Sequence, residues 1–158
     1  MAEAIWRRVF PSLECRRFSK QAFRGDTMDF ALPWPTSQGE WLAWSSAVFT
    51  VLLGLLFFLA PGLAFRILRL QAKPEKAAAI AEGRGRMSGF YLGVGLCCIL
   101  LAQPLVYMAL GFSWLFTAFG RLLSMMSDGA NTPFNWISIV VELALAALPL
   151  AFAFGFVP

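Results

Sequence analysis

The chain has 158 residues, 59% of them hydrophobic and only 14% charged, with a formal net charge of +4. A water-soluble domain carries about 25% charged residues, so this composition excludes a chain that coats itself for water and points to a membrane protein. Histidine is absent, which removes the commonest metal ligand and the usual general base; no catalytic residue, metal site or nucleic-acid partner is expected.

Residues 1–40 read as a basic N-terminal segment, partly disordered or an interfacial helix. Six bases fall in it: Arg7, Arg8, Arg16, Arg17, Lys20 and Arg24. Residues 1–27 lack the long apolar run of a secretory signal peptide. Trp6, Phe10, Leu13 and Arg17 recur at helical spacing, which fits a helix lying on a membrane surface. A second reading starts translation at Met28 and makes residues 1–27 an upstream extension.

Residues 41–158 read as one membrane domain. No charge occurs from Trp41 to Phe65, none from Met87 to Gly120, and only Glu142 from Asn131 to Pro158. Such tracts are long enough to cross a bilayer. The first span is expected over about 41–60, ended by Pro61-Gly62. The following LAFRILRL mixes apolar bulk with Arg66 and Arg69, a pattern that lies along the interface with its arginines reaching toward headgroups.

The next apolar tract, Met87 to Gly120, is 34 residues long. As one helix it would measure about 51 Å, against a bilayer core of about 30 Å. It therefore folds back, and Gln103-Pro104 supplies the break, because proline starts a helix well and interrupts one badly. Spans over about 84–102 and 105–126 result. Asn131-Thr132-Pro133 opens the last span, about 134–156. Trp41, Trp44, Trp114 and Trp136 are candidates for the aromatic belt at the two membrane surfaces. The expected fold is an all-α integral membrane protein, a bundle of four transmembrane helices.

The stretch GRGRMSG (83–89) invites comparison with a phosphate-binding loop. A dinucleotide fingerprint needs G-x-G-x-x-G after a strand, and a P-loop needs Gly-Lys-Ser/Thr; neither is present. Gly85, Gly89 and Gly93 are instead four apart, which stacks them on one helix face as in membrane GxxxG packing. Ala144, Ala147 and Ala151 form a comparable strip on the last helix, and the two faces are expected to meet. Cys97 and Cys98 are adjacent on an apolar helix, point apart, and read as small hydrophobes or else as a lipidation site or redox switch.

Charge inside the bilayer is the more informative feature. Arg121 and Glu142 each cost about 2.5–3.5 kcal/mol at a helix centre, so each needs a partner or a wet cavity. Counted from the helix ends at Asp128 and Pro133, they lie at about 10 and 13 Å depth from one membrane face, which predicts a contact between them. Glu82, Arg84, Arg86 and Asp128 are expected on the same side, with Tyr91 able to donate a hydrogen bond to the group. This cluster reads either as a buried polar clasp that fixes helix register or as a pocket for a headgroup, quinone or small ligand.

Orientation follows from the bases. The first loop carries Arg66, Arg69, Lys73, Lys76, Arg84 and Arg86, and the Gln103-Pro104 turn carries none. The positive-inside rule then places loop 66–83 in the cytoplasm.

The run EGRGRMSGFYLGVGL, then PLVYMALG, then GRLLSMMSDG, then a lone Glu142, resembles a family of small bacterial membrane proteins, domain of unknown function 4345, itself similar to DoxX-type four-helix membrane proteins. The resemblance covers about Trp41 to Phe156. It implies a four-helix bundle in the bacterial inner membrane and no established activity. DoxX-type proteins include a subunit of a thiosulfate:quinone oxidoreductase, so the resemblance also implies a redox accessory role by analogy. Two functional readings stand. One is a non-enzymatic accessory, assembly or interaction protein that packs against membrane lipids and other subunits or a second copy of itself, with no cofactor. The other is a quinone- or lipid-binding subunit of an oxidoreductase, with a polar pocket at Arg121, Glu142 and Tyr91.

Overall fold

Residues 33–70 and 78–157 are described in a computed structural model of the chain. The expected surface helix through Trp6 and Phe10, the Met28 start, Lys73 and Lys76 lie outside the described residues. Among the described residues every regular element is helical.

Helix α1 (Gln38–Leu59) opens on Ser37, whose side chain accepts from the Glu40 amide at 3.2 Å. Glu40 reaches back to the Thr36 amide at 2.8 Å, so Ser37 satisfies one of the donors that a helix start leaves open and Glu40 ties the residue before the cap to the first turn. Pro61 begins the short helix α2 (Pro61–Ile67) at its first turn, where a missing N–H costs nothing. Leu70 N bonds Phe65 O at 2.8 Å over Arg69 at φ 55°, a left-handed stop of the Schellman kind.

The chain is described again as α3 (Ala78–Glu82), a π-helical turn (Gly83–Met87) and α4 (Ser88–Leu101). Its end is a tight reversal. Ala102 takes φ 46°, Gln103 is extended, as the residue before a proline prefers, and α5 (Pro104–Ser127) starts on Pro104. Helix α6 (Pro133–Ala153) is capped by Thr132, whose side chain accepts from Asn135 N at 3.3 Å. It stops three residues short of the expected Phe156. Gly155 at φ 73° supplies the left-handed turn, and Phe156 N bonds Ala151 O at 2.9 Å.

Three helices, α1, α5 and α6, are long and apolar enough to cross a membrane. The tract expected as the span 84–102 is broken by the π turn, and α4 alone covers 14 residues, about 21 Å of helix. Their outer faces are apolar: Phe90, Phe116, Ile137 and Val140 are 65–70% exposed, the all-round pattern of a helix that meets lipid.

Helix α1 packs on both α4 and α6, and α5 packs on α6, while α4 and α5 approach each other sparingly despite their short connection. Glycines set the close crossings. A Cβ on Gly54 would sit 2.9 Å from Leu92, one on Gly95 would sit 2.6 Å from Val51, and one on Gly111 would sit 2.5 Å from Leu150. These are separations that real Cβ atoms do not show, so each crossing requires the missing side chain. The expected meeting of the Gly85–Gly89–Gly93 ridge with Ala144, Ala147 and Ala151 does not form. A Cβ at any of the three glycines has nothing within 4 Å, and Ala144 and Ala147 are exposed. Spacing of four puts residues on one face, but the face that α4 turns to α1 carries Gly95 instead.

Ala43, Ala47, Cys98, Tyr107, Leu110, Trp114, Leu145 and Ala146 form the core. Trp114 is therefore not a belt residue: it lies in the middle of α5, 5% exposed, with its indole N–H donating to Thr50 Oγ1 at 3.0 Å. Trp41 and Trp44 pack with Trp34 at the start of α1, with centroids 5.5–6.2 Å apart. Trp136 is exposed at the opposite end and donates to Asn131 Oδ1 at 2.9 Å.

Pro149 lies inside α6 and is buried. Having no N–H, it leaves the carbonyl four residues earlier, Leu145 O, without its helical donor. Ser46 Oγ on α1 donates to that oxygen at 2.8 Å. A proline in a membrane helix is tolerated where a neighbouring hydroxyl takes over in this way.

Candidate functional site

Helices α5 and α6 run in opposite directions, joined by the turn at Asp128–Thr132. Arg121 is six residues before the end of α5 and so about 9 Å inside it. Glu142 is buried at 5% exposure on α6. Asn135 precedes Glu142 by seven residues, two helical turns, and so shares its face.

These three side chains interlock. Arg121 Nε donates to Glu142 Oε1 and Oε2 at 3.0 and 3.2 Å, and Nη2 donates to Oε1 at 2.6 Å. Arg121 Nη1 donates to Asn135 Oδ1 at 3.0 Å, and Asn135 Nδ2 donates to Ala130 O at 2.6 Å. The guanidinium meets the carboxylate side-on with two nitrogens, the strong arrangement for this pair. Asn135 then ties it to the backbone of the α5–α6 turn. Asn135 carries no mark by residue type alone; its signal in the sequence is a polar residue two turns before a lone intramembrane glutamate.

The remaining members of the expected cluster are placed elsewhere. Glu82 and Arg86 pair with each other at 2.9 Å across one turn, both at least half exposed. Arg84 is exposed, and its carbonyl accepts from Ser88 Oγ. Asp128 is exposed and accepts from Ser127 Oγ at 3.0 Å. The separation has a simple cause. Arg121 and Glu142 are fixed by the α5–α6 seam, whereas Glu82, Arg84 and Arg86 ride on the π turn, whose inner face is given to Gly83. A Cβ there would meet Phe65 at 2.8 Å, so α2 seals that side and the charged side chains point outward.

Tyr91 is the one outlier that stays near the pair. Its ring is stacked between Phe57 (6.1 Å, 18°) and Trp114 (5.8 Å, 22°), and both Glu142 and Arg121 lie within electrostatic reach of its hydroxyl. That hydroxyl makes no hydrogen bond among the described residues. Beside it, the sparse α4–α5 approach leaves a cleft of about 130 Å³. Phe90, Tyr91 and Val94 form one wall, Ser113 and Trp114 the other, and Thr50 of α1 the floor. On the outer side of Phe90, a shallow hollow lies over Gly85 and Gly89 and is bounded by Arg86.

Chemically, the pair is an internally neutralised ion pair rather than an exposed acid or base. No group of three or more His, Cys, Asp or Glu residues that could hold a metal occurs among the described residues. Residues 39–153, from α1 to the last residue of α6, match the family described as Domain of unknown function (DUF4345). No curated protein and no solved structure matches the chain. The match takes in every helix described above, and the chain belongs to the DUF4345 family.

Proposed function

We propose that this chain is a small multi-pass protein of a bacterial inner membrane, folded as a DoxX-like four-helix bundle, in which the π turn and α4 together make the fourth crossing. In this reading it acts without catalysis, as an accessory, assembly or interaction protein among other membrane subunits or copies of itself. Loop 66–83 lies in the cytoplasm, on the side of Arg66, Arg69, Arg84 and Arg86.

The carrying observation is the internal satisfaction of the two charges that lie deep in α5 and α6, Arg121 and Glu142. Glu142 receives three N–H contacts from Arg121, and Arg121 is further held by Asn135. A carboxylate that accepts protons or binds substrate needs an open face, whereas one so enclosed fixes the register of two helices. Purification from native membranes in a mild detergent tests this. Protein subunits retained at fixed stoichiometry support the interaction role, and a chain that elutes alone without any partner counts against it.

One observation favours the second reading, a quinone- or lipid-binding subunit of an oxidoreductase. The cleft beside Tyr91 opens between two apolar helices and holds a hydroxyl donor in need of an acceptor. A stoichiometric quinone or lipid in the purified material, with no protein partner, would favour it over the first.

A further inference from the structure

A hydrogen-bond donor without a partner in an apolar setting is costly; Tyr91 lines the cleft between α4 and α5, and its hydroxyl has no partner among the described residues. Its ring is clamped by Phe57 and Trp114, so the hydroxyl cannot swing to a new partner without breaking the stack. The cleft walls are otherwise apolar, and their hydroxyls are already committed: Ser113 Oγ donates to Ala109 O at 2.8 Å and Thr50 Oγ1 to Ser46 O at 2.8 Å. What the site lacks is an oxygen acceptor attached to something apolar.

The geometry continues outward. Phe90 lines both the cleft and the hollow over Gly85 and Gly89. The absence of side chains at those two glycines is what makes the hollow, since a Cβ at either would stand in open space. Arg86 walls it. Among the described residues this arginine is bound only by an exposed pair with Glu82, a weak interaction, whereas Arg121 is occupied by Glu142 and Asn135. The order from inside to outside is thus apolar slot, hydroxyl donor, side-chain-free hollow, cation.

We propose that an anionic phospholipid is bound here, with one acyl chain in the α4–α5 cleft, an ester oxygen accepting from the Tyr91 hydroxyl, and the phosphate over Gly85 and Gly89 against Arg86. The slot suits a chain rather than a whole ligand, because about 130 Å³ is somewhat less than a cavity of about 150 Å³ that admits one benzene. Phosphate is favoured over a quinone carbonyl because the outermost recognition group is a guanidinium, with Arg84 exposed on the same turn. This assignment rests on the lipid-binding reading above and is independent of any protein partner.

The test uses the full chain in nanodiscs of phosphatidylcholine doped with phosphatidylglycerol, followed by detergent exchange and native mass spectrometry. The expected result is one phosphatidylglycerol retained per chain, in preference to phosphatidylcholine. Tyr91→Phe keeps the stacked ring and removes only the donor, so retention should weaken about fivefold. Arg86→Gln should abolish the preference for the anionic lipid. Gly89→Leu fills the hollow where nothing stands within 4 Å, so it leaves the fold intact while lowering retention at least about tenfold. Equal retention by wild type and Gly89→Leu overturns the proposal, as does absence of lipid or of a phosphatidylglycerol preference. A prenylquinone retained in place of phospholipid overturns it too, while leaving the ligand-binding reading standing.

Discussion

Arg121 and Glu142 meet across the α5–α6 seam at 2.6 Å, the arginine side chain a quarter exposed and the glutamate 7% exposed. Each side chain is tolerable at this depth only because of the other. Glu142→Ala leaves a guanidinium without its counter-charge, and Arg121→Ala leaves the more buried carboxylate alone. Either is expected to destabilise the folded protein by about 3 kcal/mol, read by unfolding in mixed detergent micelles. The double change Arg121→Leu with Glu142→Leu strands nothing and should recover most of the loss. Arg121→Lys should not rescue, because an ammonium cannot span Glu142 and Asn135 together as the planar fork does. Single variants as stable as the parent would show that the pair contributes nothing.

Ser46 supplies the donor that Pro149 denies to Leu145 O. Ser46→Ala should therefore cost about 1 kcal/mol. In a Pro149→Ala background the helix regains its own N–H, and the cost of Ser46→Ala should shrink toward zero. A double-mutant cycle in the same unfolding assay measures this coupling. Strict additivity would mean that the serine acts by some other route.

The glycines divide into two sets with opposite expectations. Gly95→Val and Gly111→Val force a side chain against Val51 or Leu150 and should destabilise by about 1–3 kcal/mol. Gly93→Val meets open space and should stay within about 0.5 kcal/mol of the parent. Thermal melts followed by fluorescence-detected gel filtration separate the two. Equal effects at Gly93 and Gly95 would contradict the observed packing faces.

Reporter fusions check orientation. A fusion after residue 75 should read cytoplasmic and one after Gln103 should read from the opposite side, because Arg66, Arg69, Arg84 and Arg86 gather at one end of the described helices and no base lies in the Gln103-Pro104 turn. The reverse pattern at both positions would invert the assignment.

Much of this architecture is legible in the sequence, for reasons of length. Counting residues against bilayer thickness requires the reversal at Gln103-Pro104, and counting from the two helix ends brings Arg121 level with Glu142. Neighbour choice is not legible in the same way. Gly85, Gly89 and Gly93 have the spacing of a packing ridge, yet the crossing with α1 is made at Gly54 and Gly95, because which face turns inward depends on partner helices that a local spacing does not encode. Trp114 resembles a belt residue by type but sits at mid-helix, where its N–H finds Thr50. The link from Ser46 to Leu145 spans 99 positions. Only its cause, Pro149 inside an apolar run, is visible locally.

The π turn at Gly83–Met87 has a consequence for how this protein tolerates change in chain length. A turn that bonds five residues back holds one residue more than an α turn of the same rise. Removing a single residue there would let the backbone close into a plain α-helix, at no loss of backbone bonds. Because the closed turn holds one residue fewer over nearly the same rise and rotation, Ala78–Glu82 keeps its phase relative to α4, whereas the same deletion inside α4 would turn everything before it by about 100°. The surplus residue is slack that the helix can give up without turning the basic end of the bundle away from the water.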